Sequence, residues 1–333
     1  MINHYKVTGN YKAKLQTPIA ITFFTRSHTL KKTFYEVKKA RPQKLFLIQD
    51  GKREKHKDDW NNIISCRKIV EDIDWECDVY QNYADESLGA AQRLLSGFSW
   101  VFENVDRAII LEDDCLPNQS FFPFCEELLE KYLNDERINM ITGYNFYDEI
   151  PEIDESYFFG KSGTNWGWAT WARAWKLIEF DLHKIHANIK AQNLFSKLNS
   201  RRISTQKMIW INNVEQKFSD GTWTTWDVQW GLVKDLYFQL AIIPKCNMID
   251  NIGCGDDSAH FSAYRTLSFD DKKLFHRNRK EMSFPLIHPT YIIPNLTYDK
   301  HVERIVYACL PRKILRKIDH YLKTIFCFIL LSK

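Results

Sequence analysis

The sequence predicts an α/β fold: a mostly parallel sheet flanked by helices on both faces. Three observations point there. Continuous apolar runs, partly β-branched, recur through the first 145 residues; a stretch with helical spacing of its apolar positions follows each; and the links between them are short. A strand buried on both faces reads as an unbroken apolar run rather than an alternating one. Strand–helix alternation with short links closes as right-handed crossovers, which lay the strands parallel.

Ile19-Ala20-Ile21-Thr22-Phe23-Phe24 is the first such run, ending at Thr25-Arg26-Ser27. The helix after it carries Leu30, Phe34 and Val37 on one side. It stops before Pro42, because the residue ahead of a proline is pushed out of helical geometry. Lys44-Leu45-Phe46-Leu47-Ile48 forms the second strand, closed by the turn Gln49-Asp50-Gly51. A helix over 60–73 leads to a third strand at Asp78-Val79-Tyr80, and a helix over 88–102 leads to a fourth at Arg107-Ala108-Ile109-Ile110-Leu111. The acidic triplet Glu112-Asp113-Asp114 sits at the carboxyl end of that strand, and helix resumes over 121–133.

Beyond Met140 the pattern loosens. Residues 158–175 are rich in glycine and tryptophan, 187–216 read as polar helix, 223–237 start as a loop and continue as helix, and Ala241-Ile242-Ile243 is a late strand. One catalytic domain over 1–300 is expected, with halves at about 17–145 and 146–300, followed by a basic and apolar helical tail over 301–333.

Composition narrows the function classes. The net charge of +4 is small for 333 residues, and its excess gathers between Arg304 and Lys323. Nucleic acid as the main partner is therefore not expected, since that needs a broad basic face. The eight cysteines show no CxxC pair, which reads as reduced thiols in a cytoplasmic protein without structural zinc. Residues 1–14 are polar, so no signal peptide is expected, and no run reaches the roughly 20 apolar residues that span a bilayer. The short apolar run over 324–331 follows Arg312, Lys313, Arg316, Lys317 and Lys323. It suits either a peripheral contact with the inner face of an anionic membrane or a helix packed on the protein.

Three adjacent carboxylates at the end of an apolar strand repel one another unless a cation neutralises them. A divalent ion held by one or two carboxylates plus substrate phosphates is the usual hard-cation arrangement, and such an ion stabilises a departing diphosphate. The alternative is a solvated acidic turn. Ligands in open parallel sheets bind beyond the carboxyl ends of the strands, and Arg26, Asp50 and the triplet all lie at those ends. Asp227, in Trp223-Thr224-Thr225-Trp226-Asp227-Val228-Gln229-Trp230, reads either as a general base between aromatic walls or as a helix N-cap. His260, in Gly253-Cys254-Gly255-Asp256-Asp257-Ser258-Ala259-His260-Phe261, reads as a group near a diphosphate or metal, or as a solvated loop histidine, with Asp256 and Asp257 as a rival metal site. Trp166-Gly167-Trp168-Ala169-Thr170-Trp171 is either a stacking lid with hinges at Gly163 and Gly167 or buried packing. No phosphate-binding GxxxxGK[ST] loop, GxGxxG fingerprint or HExxH zinc spacing occurs.

Assembled in order, these landmarks resemble the GT-A glycosyltransferases (a Rossmann-like fold), and within them the N-acetylglucosaminyltransferase I type. Arg26-Ser27 resembles the family's Asp-Arg-Ser turn with Thr25 in place of the acid, and Gln49-Asp50 its Ser-Gln-Asp turn. Ile109-Ile110-Leu111-Glu112-Asp113-Asp114 resembles its variant of the DXD motif, followed by Pro117 and Phe121-Phe122. Ile141-Thr142-Gly143-Tyr144-Asn145, Gly167-Trp168, Trp226-Asp227 with Trp230, and 255–261 follow in the family's order. The resemblance spans about residues 17–265.

It implies an inverting transferase that moves a sugar from a nucleotide-sugar donor, UDP-sugar favoured, to a hydroxyl of a glycan or glycolipid acceptor, with Mn2+ or Mg2+ as cofactor. In that role Asp114 is the direct metal ligand, Glu112 and Asp113 shape the donor site, and Arg26 and Asp50 hold the nucleotide. His260 sits by the diphosphate and metal, Trp168 lines the cofactor site, and Asp227 is the base. Val228-Gln229 replaces the family's second aspartate, so a neighbour of Asp227 remains open as the base. A bacterial-style cytoplasmic enzyme of surface polysaccharide synthesis fits the missing anchor. The competing readings are an inactive carbohydrate-binding scaffold of the same fold and a sugar nucleotidyltransferase.

Overall fold

The computed structural model describes residues 2–199, 201–254, 267 and 272–306. Its centre is a nine-stranded sheet flanked by helices. Strands β1 (Ile2–Val7), β2 (Ile19–Phe23), β3 (Lys44–Gln49), β4 (Cys77–Tyr83) and β5 (Arg107–Glu112) come from the first half of the chain. β7 (Ile138–Thr142), β8 (Tyr157–Gly160), β9 (Trp168–Trp171) and β10 (Leu240–Pro244) complete it, in the order β1-β4-β3-β2-β5-β9-β7-β10-β8. β2 pairs parallel with β3 and β5, β3 with β4, and β7 with β10. β9 runs antiparallel between β5 and β7, and β1 and β8 are antiparallel at the two edges. Six of the nine strands thus share one direction, as a mostly parallel sheet requires. β6 (Cys115–Pro117) pairs with β11 (Ile249–Asn251) in a separate antiparallel ribbon just past the carboxyl end of β5.

The four expected strands form within a residue or so of the apolar runs, except that β4 extends to Tyr83. Every residue of β2 is buried, because helices cover both faces. Strand alternation sends Ile19 and Ile21 to one face with Leu45, Leu47, Ile109 and Leu111, under α1 (Ser27–Ala40) and α4 (Phe121–Lys131). Ala20, Phe46, Ile48, Ala108 and Ile110 go to the other, under α3 (Ala90–Asn104). α1 buries Leu30, Phe34 and Val37 and ends at Arg41, whose left-handed φ of 49° lets its N–H donate to Val37 O at 3.0 Å just ahead of Pro42. α2 (Asp59–Val70) packs beside it.

The polar helical stretch expected over 187–216 is three helices, α6 (Leu182–Gln192), α7 (Leu194–Leu198) and α8 (Arg201–Ser219). The Asp181 side chain caps the first by accepting from His183 N at 2.9 Å, and Asn193 ends it in the left-handed region. With α9 (Asp227–Leu236) these helices enclose a satellite core of Leu182, Ile185, Ile189, Phe195, Ile211 and Val214.

An aromatic cluster fixes α9 to the sheet. Following β9, the short helix α5 (Ala172–Trp175) ends in Trp175. Ring centroids lie 5.8 Å apart for Trp168–Trp226, 5.3 Å for Trp168–Trp230, 5.4 Å for Trp175–Trp230 and 5.0 Å for Phe98–Trp226. The last described helix, α10 (Leu296–Val306), includes the first residues of the expected tail; 307–333 lie outside the described residues. No helix among the described residues is long and apolar enough to cross a membrane.

Trp168 is fully buried, so Trp168→Ala should cost about 3–5 kcal/mol of unfolding free energy in a denaturant titration. A loss under about 1 kcal/mol, the range of surface substitutions, would remove it from the core.

Candidate active site

The register of the sheet assembles the site. Thr22 lies opposite both Ile48 and Glu112, so the residues after β2, β3 and β5 emerge side by side at one edge. There Arg26, at the start of α1, reaches across β5. Its guanidinium donates through one nitrogen to Asp113 Oδ1, and the same nitrogen donates to Asp114 Oδ2 at 2.8 Å. Thr33 Oγ1 donates to Asp113 O at 3.1 Å, tying the same turn to α1.

The electrostatics follow from burial and crowding. Burial raises the Asp113 carboxyl; Arg26 pulls it back, Asp114 raises it again, and it settles at about 7. Burial also lifts the Glu112 carboxyl well above the ordinary carboxylate range, helped by Asp114, Asp113 and Asp227 in that order and opposed by Arg26. Burial works against the Arg26 charge, but Asp113 and Asp114 outweigh it, so the guanidinium is held more firmly protonated than usual. One cation thus faces a group of acids it does not fully neutralise.

Asp227 joins this group from the opposite half of the chain. It is the first residue of α9 and is exposed, while Trp226 and Trp230 on either side are buried. Its charge reaches Glu112. The flanking tryptophans therefore serve as the anchor of the helix that presents Asp227.

Asp50 stands at the same edge but is turned inward. Its Oδ1 accepts from Gly51 N and Leu88 N, both at 2.9 Å, and its Oδ2 from Ser87 Oγ at 3.0 Å and Gly89 N at 3.1 Å. The carboxylate thereby shapes the loop that leads into α3. Trp168 takes the packing side of its two readings, inside the aromatic cluster described above. Gly167 precedes it at φ 58° beneath Ile249, a tight approach that only glycine allows. His260, Asp256 and Asp257 lie outside the described residues.

Three further residues contribute that the sequence did not single out as site residues. Arg93, buried on α3, donates through Nε to Gln49 O at 3.1 Å and through a terminal nitrogen to Asn82 Oδ1 at 3.0 Å. Gln49 donates to Phe24 O at 2.9 Å and accepts from Arg67 Nε at 2.8 Å. Together they knit the carboxyl ends of β2, β3 and β4. A charged residue on an otherwise apolar helix face was the available signal for Arg93. The third is Gly253, whose backbone meets Asp114; Ile252 N donates to Asp114 O at 2.9 Å.

Among the described residues no group of three or more histidine, cysteine, aspartate or glutamate side chains is set to hold a metal ion by itself. A hard cation that shares its shell with substrate phosphates needs only one or two carboxylates. The under-neutralised triplet fits that requirement, with Asp114 and Glu112 as the available acids.

No protein-family model matches the chain, and no curated protein matches it. Solved structures do. A cytidylyltransferase from Leptospira borgpetersenii matches at 13% identity and a TM-score of 0.30, over 49% of this chain and 64% of its own. An active-site mutant of the glycosyltransferase LgtC matches at 12% and 0.32, over 53% and 64%. An apo UDP-glucose pyrophosphorylase matches at 8% and 0.33, over 71% and 93%. The chain spans less than two thirds of the length of the first two. At these scores no activity passes from any of them to this chain, and the chemistry rests on the site itself.

The raised carboxyls fix a pH dependence. A folded state that holds a proton the unfolded chain has released loses stability as pH rises toward the folded pKa. Asp113 and Glu112 both act in this sense, so the melting temperature should fall between pH 5 and pH 8. Asp113→Asn should flatten that fall. An equal slope in wild type and variant would exclude Asp113 as its source.

Proposed function

We propose that this chain is an inverting glycosyltransferase of the GT-A, N-acetylglucosaminyltransferase I type. It moves a sugar from a nucleoside-diphosphate sugar, UDP-sugar favoured, to a hydroxyl of a glycan or glycolipid acceptor of a bacterial surface polysaccharide. The observation that carries the reading is the convergence of Arg26, Glu112, Asp113, Asp114 and Asp227 at the carboxyl edge of the sheet.

A bound Mn2+ or Mg2+ would supply the positive charge that stabilises the departing diphosphate. Asp114 and Glu112 would hold it, with His260 beside the diphosphate on the strength of the family resemblance. Arg26, already poised on Asp113 and Asp114, adds a fixed positive charge where negative charge develops on the phosphate oxygens. Asp50 supports the nucleotide by building the loop over 87–89.

At the sugar, the bond from the anomeric carbon to the phosphate oxygen breaks and its electron pair leaves with the nucleoside diphosphate. The acceptor oxygen forms the new bond from the opposite side and gives its proton to Asp227. The exposed Asp227 is the acid of the group that an acceptor reaches from solvent, which supports it as the base. The more enclosed triplet, with Asp113 buried and its neighbours half-buried, suits the donor.

Two substitutions test the assignment against a panel of UDP-, GDP-, CMP- and dTDP-sugars with and without Mn2+. Asp114→Ala should abolish metal-dependent nucleotide binding, read by calorimetry, and leave the fold intact by circular dichroism. Asp227→Asn should keep donor binding and lower transfer by about 100- to 10,000-fold. Normal transfer by Asp227→Asn would refute the base. Pyrophosphate release from a nucleoside triphosphate and a sugar 1-phosphate by wild type would replace glycosyl transfer with nucleotidyl transfer.

A further inference from the structure

Gly253 leaves the β6–β11 ribbon directly over the acidic triplet. A Cβ placed on it would lie 2.0 Å from Asp114 Oδ2, 2.6 Å from Asp114 Cγ and 2.9 Å from Asp114 Cβ. These are the three nearest atoms, and all belong to one side chain. The backbone at 253 does not itself call for glycine: the described glycines with positive φ are Gly89, Gly167 and Gly221. What excludes a side chain here is the Asp114 carboxyl group.

Both partners are tied to their surroundings. Ile252 N donates to Asp114 O and Gly253 N to Asn251 Oδ1, both at 2.9 Å, and Asn251 is paired with Cys115 in the ribbon. On the other side Asp114 Oδ2 accepts from Arg26 at 2.8 Å, and Cys115 Sγ stands 3.6 Å from Oδ1. The carboxylate is therefore gripped between a guanidinium and a bare stretch of main chain.

We propose that Gly253 is a positioning residue: by presenting backbone alone, it seats the Asp114 carboxylate against Arg26 in the orientation that receives the cation and donor diphosphate. A side chain at 253 turns that carboxylate away. The steric part stands on the contact alone; the functional part rests on the glycosyl-transfer reading.

The test is a pair of measurements on the full chain. Gly253→Ala should weaken binding of UDP in the presence of Mn2+ roughly tenfold or more, as loss of a ligand-orienting partner does. It should also lower the melting temperature. In an Asp114→Ala background, which removes the two closest atoms and leaves only Cβ at 2.9 Å, the same glycine substitution should lower the melting temperature by clearly less. UDP binding by Gly253→Ala equal to wild type overturns the proposal, and so does an equal thermal penalty with and without Asp114.

If Gly253→Ala does not fold, the double variant decides: its folding supports the contact, and its failure beside a folded Asp114→Ala overturns it. If wild type binds none of UDP, GDP, CMP and dTDP, the glycosyl-transfer reading fails on its own account, and the thermal comparison alone judges Gly253.

Discussion

The acidic edge of the sheet is organised by the charge contact between Arg26 and the Asp113–Asp114 pair. It joins the start of α1 to the turn after β5, beside the Thr33 bond to Asp113 O and the pairing of β2 with β5. Apolar packing sets the sheet, but it has no means of holding three carboxyls together at its edge. Arg26 does so only in part, since Asp113 and Glu112 remain raised. Burial, ahead of the neighbouring acids, causes that rise, and perturbed carboxyls gathered at a sheet edge are a frequent mark of functional sites.

The two halves of the chain contribute to the edge by different physical routes. The first supplies side chains that follow directly from strand ends, so their positions are set by register. The second supplies Asp227 at the end of a lever: α9 is clamped to the sheet by Trp226 and Trp230 against Trp168, Trp175 and Phe98. Aromatic mass that might have been spent on a ligand surface is spent on rigidity. This orients an exposed acid through the packing of the helix that carries it.

Much of this was legible in the sequence, for identifiable reasons. β2, β3 and β5 are interior strands and read as unbroken apolar runs, and the triplet stands out as three adjacent acids closing the last of them. β1 was not legible: it is a largely exposed edge strand, and its polar residues resemble a disordered terminus. β9 was hidden because Trp168 to Trp171 suggested a ring platform, whereas each residue is buried between β5 and β7. Asp50 was visible as a turn acid, but its four inward hydrogen bonds depend on residues 87–89 arriving beside it. The steric role of Gly253 arises only when β11 is laid against β6, a pairing across more than a hundred residues. Such contacts have no local signature.

The placement of β9 bears on how the chain assembles. β5 and β7 do not pair; β9 is inserted between them, running the other way. A nascent chain that has emerged as far as β5 already holds a complete four-stranded parallel unit, with α1, α2 and α3 to cover it. β7 has no such neighbour until the segment around Trp168 returns to bridge the gap, and β10 waits longer still. Closing that bridge orders a long intervening stretch before any reward is collected. The Arg26–triplet part of the edge is therefore complete in the growing chain well before α9, which must wait for β9 to dock against.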